Sequence, residues 1–348
     1  MKSNQFGGRI TQAHKAIYQQ SANWNKGKFQ NLEETPSTIE WRKLPGMICK
    51  QIKGHTYGYP KSKLPVLPYD HEAFATSDTQ TKFIWYGHSV VLMNIKGKTI
   101  LIDPMMGEDA SPIGPKRTKR FSEGTLQLCQ SLPDIDLMVL THDHYDHLDY
   151  ASIQQLKSKT GAYYVSLGLK RHLTAWGVEE SLITEFDWWN SADFDDIQIT
   201  FTPTRHFSGR GLSSMARCLW GGWAFKTETE NIWFSGDGGY GDHFKAIGQA
   251  LGPFDFAFME CGQYSPDWAL IHMFPEESVK AALEAGAKKV MPVHWGGFNL
   301  SYHHAWFEPV ESFIHHCKHM ELEYLVPEIG RVFKHGHEHN DYWWKPYI

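Results

Sequence analysis

The segment T-H-D-H-Y-D-H-L-D at residues 141–149 places the strongest constraint on how this chain can fold. It contains three histidines and three aspartates, and it directly follows the apolar run D-L-M-V-L. Imidazoles and carboxylates at this density are typical of a metal site. Open α/β sheets place their sites in loops at the carboxyl ends of strands, so we expect the run to be a strand and the segment its loop. One loop cannot surround two ions, so other strand ends must supply further ligands.

Three such candidates each follow an apolar run: His206 after I-T-F-T-P-T, Asp237 after N-I-W-F-S-G, and His294 after K-V-M-P-V. We predict two metal ions. Their ligands are His142, His144 and His206 for the first, Asp146, His147 and His294 for the second, and Asp237 as the bridge. Imidazole and carboxylate ligands suit Zn²⁺, with iron or manganese as the alternative. Two ions roughly 3.5–4 Å apart can activate water and stabilise both the attacking and the leaving oxygen.

The apolar runs alternate with polar turns and helical segments, which predicts a layered α/β fold. Two stretches, S-V-V-L-M-N-I-K-G-K-T-I-L-I-D-P and W-A-F-K-T-E-T-E-N-I-W-F-S-G-D, each give strand, turn and strand, ending at Asp103 and at Asp237. This weak repeat predicts two sheets packed face to face with helices outside. Proline in the first turn and glycine near the end predict a helix at 275–287. Residues 1–80 are expected to form an extension that packs on a domain spanning 81–348.

Composition argues against nucleic-acid-binding, disulfide-stabilised and membrane-spanning proteins. The net charge of -5 gives no basic footprint, so no nucleic-acid partner is expected. The five cysteines show no C-x-x-C spacing, which is typical of free thiols in a reducing compartment. No stretch approaches the roughly 18 apolar residues of a membrane span, and the N-terminus lacks the apolar core of a signal peptide. We expect a cytoplasmic protein, membrane-peripheral if its substrate is a phospholipid; a homodimer is left open.

Further motifs extend the pattern beyond the ligands. They include N-W-N-K-G-K-F-Q-N, L-G-L-K-R-H-L-T-A-W-G-V, F-T-P-T-R-H-F-S-G-R-G, F-S-G-D-G-G-Y and H-M-F-P-E-E-S-V-K-A-A. With T-H-D-H-Y-D-H-L-D they resemble the metallo-β-lactamase superfamily, and within it the N-acylphosphatidylethanolamine-hydrolysing phospholipase D group, over about residues 24–337. The resemblance implies a four-layer αβ/βα sandwich, a dinuclear zinc site and hydrolysis of a phosphodiester. Two departures are Gly238, where the group has threonine, and E-C-G-Q-Y (260–264), where members tend to read P-I-G-A-Y.

Other residues receive predicted roles. Asp146 and Asp237 are predicted to be catalytic as well, because they position the ions and the attacking water. Asp103 is predicted to orient a ligand imidazole. His272 matches a position near the substrate in the resembled group and is predicted to donate to a phosphoryl oxygen or act on the leaving group; a helix-start histidine without chemistry is the alternative. Candidate substrate contacts are Lys116 and Arg117, as a phosphate clamp, with Gln263 and Tyr264.

These inferences predict a zinc-dependent hydrolase, specifically a phosphodiesterase of phospholipase D type acting on an N-acylphosphatidylethanolamine-like substrate. Two alternatives stay open. A lactonase, ester hydrolase or amide hydrolase would use the same metal chemistry on a carbonyl, because fold does not fix function. The other alternative is a non-catalytic metal-binding protein. The presence of all seven predicted ligands argues against it, because a protein that has lost activity would usually have lost some of them.

Overall fold

The computed structural model describes residues 3–35, 46, 49–50, 53–76, 80–111, 118–211, 214–337 and 342–348. Its helices and strands are, in chain order, α1 (Gln12–Tyr18), β1 (Trp24–Asn25), β2 (Lys28–Phe29), α2 (His71–Ala75), β3 (Lys82–Trp85), β4 (Val91–Ile95), β5 (Lys98–Ile102), α3 (Thr125–Ser131), β6 (Ile135–Leu140), α4 (Tyr150–Leu156), β7 (Thr160–Ser166), α5 (Lys170–Ala175), β8 (Ile183–Phe186), β9 (Ser191–Phe194), β10 (Ile197–Pro203), β11 (Gly221–Lys226), β12 (Asn231–Phe234), α6 (His243–Leu251), β13 (Phe256–Glu260), α7 (Pro275–Glu284), β14 (Lys289–Val293), α8 (Glu308–His319), β15 (Glu323–Tyr324) and β16 (Val332–Lys334). The helix predicted at 275–287 is α7, which ends at Glu284; Gly286 takes a left-handed φ of 77° just beyond it.

The described strands form two seven-stranded sheets and the β1–β2 hairpin. The strand order is β16-β3-β4-β5-β6-β7-β8 in the first sheet and β15-β14-β13-β12-β11-β10-β9 in the second. Each sheet contains an antiparallel hairpin, β4–β5 or β11–β12, followed by three parallel strands, β6–β8 or β13–β15. The predicted repeat is therefore confirmed, and Asp103 and Asp237 stand at corresponding strand ends.

Burial follows the two-residue alternation of the strands. In β4, Met93 belongs to the core cluster between the sheets, whereas Leu92 belongs to the cluster that contains Ile153 of α4. Across the interface, the ring of Phe83 in β3 lies 5.4 Å from that of Phe256 in β13. The sheets thus face each other with helices on their outer sides. This confirms the predicted four-layer αβ/βα sandwich.

The segment before residue 80 contributes to the same core. Tyr18, Phe29 and Leu64 are buried in the cluster between the sheets. The boundary near residue 80 stays a prediction, but these buried side chains tie the early segment to the sandwich. Among the residues that the structure describes, no helix has both the length and the apolar character needed to cross a bilayer.

Candidate metal centre

Three imidazoles meet just beyond the ends of β6 and β10. His142 Nε2 lies 2.9 Å from His144 Nδ1, and His206 Nε2 lies 3.2 Å from the same atom. His142 and His206 are buried, and His144 is partly buried. Ligands about 2.0–2.1 Å from a tetrahedral zinc ion stand about 3.4 Å apart. The three nitrogens are therefore spaced to hold one ion.

A second group of donors lies beside the first. His294 Nε2 is 3.0 Å from Asp237 Oδ2 and 3.3 Å from Asp146 Oδ2. His147 Nε2 is 3.0 Å from Asp237 Oδ2 and 3.7 Å from Asp146 Oδ2. Two imidazoles and two carboxylates are a donor set that Zn²⁺ or iron accepts. These are the residues predicted for the second ion.

Asp237 lies between the two groups. Its Oδ2 atom contacts His147 and His294 and is also 4.0 Å from His206 Nε2. Gly236 makes the approach from β12 possible: its φ is 65°, and a Cβ there would lie 2.3 Å from the carbonyl oxygen of Gly221. One carboxylate oxygen thus faces ligands of both groups, as the predicted bridge requires.

The second nitrogen of four of these rings is engaged by a protein acceptor. The acceptors are Thr141 Oγ1 for His142 (2.9 Å), Ile271 O for His206 (2.9 Å), Asp103 Oδ2 for His147 (2.7 Å) and Gly262 O for His294 (3.5 Å). Each acceptor lies on the Nδ1 side of its ring, so Nε2 is the atom directed towards the centre. Metal-binding histidines are held in this way in proteins generally. The arrangement fits a metal centre.

Asp103 makes the contact that its predicted orienting role requires. Its carboxylate accepts hydrogen bonds from Thr141 N (2.9 Å), Thr141 Oγ1 (2.6 Å) and His147 Nδ1 (2.7 Å). The residue is fully buried and has a φ of 41°, a strained conformation for a non-glycine residue. Three hydrogen bonds hold it there.

Electrostatics suit cation binding. Burial lowers the pKa of His142 and His206, and neighbouring imidazoles lower it further, so both rings are neutral, as metal ligands must be. Burial alone would raise the pKa of Asp146 and Asp237. The nearby His147 and His294 outweigh burial and hold both pKa values well below the usual range. Two ionised carboxylates in a buried site favour a cation.

The sequence did not single out two residues at this centre. His88, in the turn after β3, lies with its Nε2 atom 3.0 Å from Asp146 Oδ2 and its ring 4.2 Å from that of His294. Glu260, at the end of β13, contacts both His294 and His272. The dipeptide Gly87-His88 and the E-C-G-Q-Y segment are visible in the sequence, but neither indicates these partners.

The early segment reaches the centre through Asn31. His206 N donates to Asn31 Oδ1 (3.0 Å), and Asn31 Nδ2 donates to His206 O (2.8 Å). Trp220 Nε1 also donates to Asn31 Oδ1 (2.9 Å). The side chain thus acts like a neighbouring strand and fixes the backbone of a candidate ligand. This is a structural role for the N-W-N-K-G-K-F-Q-N motif.

A second contact of the early segment supports the loop after β6. Asp143, whose carboxylate accepts from Gly209 N (2.6 Å), also pairs with His172 Nε2 at 3.2 Å. His172 Nδ1 accepts from Gly8 N (3.1 Å). Arg210 donates to the carbonyl oxygens of Asp143 (2.8 Å) and Gln5 (2.8 Å). Asp143, the first aspartate of the loop, is therefore a structural residue.

The predicted substrate contacts differ in their placement. Gln263 is buried, and its amide binds the loop after β14: Nε2 donates to Phe298 O (3.0 Å) and Oε1 accepts from Leu300 N (2.7 Å). Tyr264 is 6% exposed, and its hydroxyl donates to Glu308 Oε1 at 2.7 Å. The polar groups of both side chains are hydrogen-bonded within the protein. Their contact with substrate stays a prediction, and this geometry does not favour it. Lys116 and Arg117 lie outside the described residues.

His272 is placed next to both donor groups. Its ring lies 5.0 Å from that of His206 and 5.2 Å from that of His294, and its side chain is partly exposed. One of its ring nitrogens lies within 4.8 Å of donor atoms of His206 and Asp237. It is therefore close enough to the centre to contact a substrate held there.

The sequence pattern of the β-lactamase superfamily domain matches residues 98–295, more than half of the chain and the part that contains all seven donors. The chain belongs to the metallo-β-lactamase superfamily. Within the superfamily it is a metal-dependent hydrolase of the branch that resembles N-acylphosphatidylethanolamine-hydrolysing phospholipase D.

Two relatives illustrate the branch. An uncharacterised protein of Mycobacterium tuberculosis is 35% identical over 337 residues, which cover 95% of this chain and 89% of that protein. N-acyl-phosphatidylethanolamine-hydrolyzing phospholipase D 1 of Caenorhabditis elegans is 34% identical over 237 residues, 65% of this chain and 66% of that protein.

Two solved structures share the fold. The metallo hydrolase Igni18 of Ignicoccus hospitalis has a TM-score of 0.56 at 21% identity, covering 73% of this chain and 98% of its own. The diiron β-hydroxylase CmlA of Streptomyces venezuelae has a TM-score of 0.55 at 17% identity, covering 74% and 55%. At these identities the likeness concerns the fold alone.

Proposed function

We propose that this chain is a dinuclear zinc phosphodiesterase of phospholipase D type that acts on N-acylphosphatidylethanolamine or a close relative. The observation that carries the proposal is the pair of donor groups that share Asp237 Oδ2. The activity in the name of the Caenorhabditis elegans relative supports the choice of bond. Iron, which the name of CmlA attributes to that protein, is the alternative metal.

The candidate ligands and the residues around them have separate proposed roles. His142, His144 and His206 would hold one ion, Asp146, His147 and His294 the other, and Asp237 both. Bound ions lower the pKa of a water molecule and draw electron density from phosphoryl oxygens. Asp146 and Asp237 orient the attacking water through their carboxylates, and Asp103 keeps His147 aligned.

On the substrate side, His272 is placed to donate to a phosphoryl oxygen or to the leaving group. Lys116 and Arg117, which lie outside the described residues, would contact the phosphate. Together these groups would orient a phosphodiester above the donor atoms.

The surroundings suit a lipid. Leu270 is 42% exposed two residues before His272, and Leu32 is 60% exposed directly after Asn31. Exposed leucines on two segments that reach the centre offer apolar contact for acyl chains. Peripheral contact with a membrane from the cytoplasm is part of the proposal, and the five free cysteines are consistent with that compartment.

The test is turnover by the zinc-loaded protein on N-acylphosphatidylethanolamine in mixed micelles, read by mass spectrometry, with Asp237→Asn as the blank. We expect phosphatidic acid and N-acylethanolamine from the wild type only. Absence of both products from protein shown to hold two zinc ions would refute the phosphodiesterase proposal.

A lactonase or ester hydrolase is the second candidate. The observation in its favour is Glu260, a carboxylate in contact with His272 where the resembled group tends to have proline. The same experiment with an acyl-homoserine lactone and an aryl ester decides between the two. Turnover of these substrates without cleavage of the phospholipid would favour the second candidate.

A further inference from the structure

Glu260 is a buried carboxylate that contacts two histidines of the centre. It is the last residue of β13 and has no exposed surface. Oε1 lies 2.9 Å from His272 Nδ1 and 3.3 Å from His294 Nδ1, and Oε2 accepts from Met273 N at 3.1 Å. Its own backbone N donates to Ser235 Oγ at 3.0 Å. The carboxylate and the backbone are both held in place.

The contacts dictate the hydrogen positions on the two rings. A buried carboxylate is costly unless its oxygens accept hydrogen bonds, and an ionised one can only accept. Hydrogen on Nδ1 of His272 therefore satisfies Glu260. His294 Nδ1 faces two acceptors, Glu260 Oε1 at 3.3 Å and Gly262 O at 3.5 Å, so it also carries hydrogen. This leaves Nε2 of each ring as the atom that faces the centre.

For His294 the result is visible in the distances. Its Nε2 atom lies 3.0 Å from Asp237 Oδ2 and 3.3 Å from Asp146 Oδ2, within the second donor group. His272 is stacked against the same ring at 5.2 Å with an interplanar angle of 12°. One carboxylate thus sets two parallel imidazoles.

We propose that Glu260 is a positioning residue that couples the second metal position to His272. By accepting from His272 Nδ1 and placing its charge beside His294 Nδ1, it holds His294 as a ligand and His272 with Nε2 towards the cleft. The role of His272 in turnover rests on the proposed function, whereas the effect on the metal and on the rings does not.

The experiment compares Glu260→Gln with Glu230→Gln. Glu230 is also a buried glutamate that accepts from a histidine and from Thr81, but it stands in the β11–β12 turn away from the centre. Chelator competition measures the affinity of each zinc ion, and the cobalt-substituted protein reports each site by its absorption spectrum. We expect Glu260→Gln to weaken one ion by about 10–100-fold and to alter its spectrum, with the other ion unchanged. Glu230→Gln should change neither.

Histidine ¹⁵N spectra of the zinc-loaded wild type supply a measurement that needs no variant to fold. We expect both His272 and His294 to carry hydrogen on Nδ1. Hydrogen on Nε2 of either ring, or wild-type affinity for both ions in Glu260→Gln, would overturn the proposal. These readouts use no substrate, so a failure to hydrolyse phospholipid would count against the proposed function and leave this inference standing.

Discussion

Asp103 and Asp237 occupy corresponding places in the two halves of the molecule and have different surroundings. Each follows the second strand of a hairpin and is buried. The carboxylate of Asp103 is satisfied by Thr141 and by one imidazole. Asp237 Oδ2 instead faces three imidazoles. A repeated scaffold thus supplies an aspartate that orients a ligand in one half and one that is placed to be a ligand in the other.

At the ends of β6 and β13 the two halves exchange these roles. The loop after β6 carries His142, His144, Asp146 and His147, whereas β13 ends in Glu260, which reaches the centre only through histidines. Each half therefore supplies candidate ligands and one carboxylate, Asp103 or Glu260, that contacts a ligand imidazole.

The largest effect is expected for Asp237→Asn. Loss of the shared charge should remove one ion and lower kcat about a thousandfold, equivalent to roughly 4 kcal/mol, because stabilisation of charge at both ions is lost. Metal content and turnover measure it. The control is Asp242→Asn, an exposed residue at the start of α6. Equal activity of Asp237→Asn and the control would remove Asp237 from the centre.

A smaller effect is expected for Asp103→Asn. The amide cannot accept from Thr141 N, Thr141 Oγ1 and His147 at once, so the ring of His147 loses its fixed orientation. We expect a 10–100-fold loss in metal affinity or turnover with both sites still able to bind. A loss as large as that of Asp237→Asn would break the distinction between the two aspartates. Thr141→Ser, which keeps the hydroxyl, is the matched control.

The metal donors and the fold were predictable because their signals lie within short, contiguous stretches of sequence. Strands are short apolar runs, and T-H-D-H-Y-D-H-L-D places four donors within one loop. The supporting contacts join distant residues: His88 and Asp146 are 58 positions apart, and Asn31 and His206 are 175 apart. No spacing rule links such pairs. Gln263 was predicted to contact the substrate, but its side chain instead binds the loop after β14. The sequence did not indicate the direction of this side chain.

Asn31→Ala tests whether the early segment supports the first donor group. Loss of the amide leaves the backbone N–H and C=O of His206 without their partner, at a cost of about 1–3 kcal/mol, whereas Trp220 keeps Thr204 O as an acceptor. We expect about tenfold weaker binding of the ion held by His206, measured by chelator competition. Asn23→Ala, which removes a hydrogen bond to Asp187 in the same segment, should leave metal affinity unchanged.

The smallest effect is expected for Cys261→Ala. The thiol is buried beside Glu260, and its contact is with Val293 O at 3.7 Å. Burial raises the pKa of this thiol well above its usual value, so it is not a nucleophile. Turnover should stay within about twofold of wild type once slight destabilisation is allowed for. A large loss of kcat with metal content intact would contradict this and assign the thiol a catalytic role.

The two halves are proposed to hold two ions between them. Native mass spectrometry of the zinc-saturated chain, beside Asp237→Asn, counts these ions. We expect two zinc ions per wild-type chain and one in the variant. A single ion in the saturated wild type, or two ions in both proteins, would contradict it.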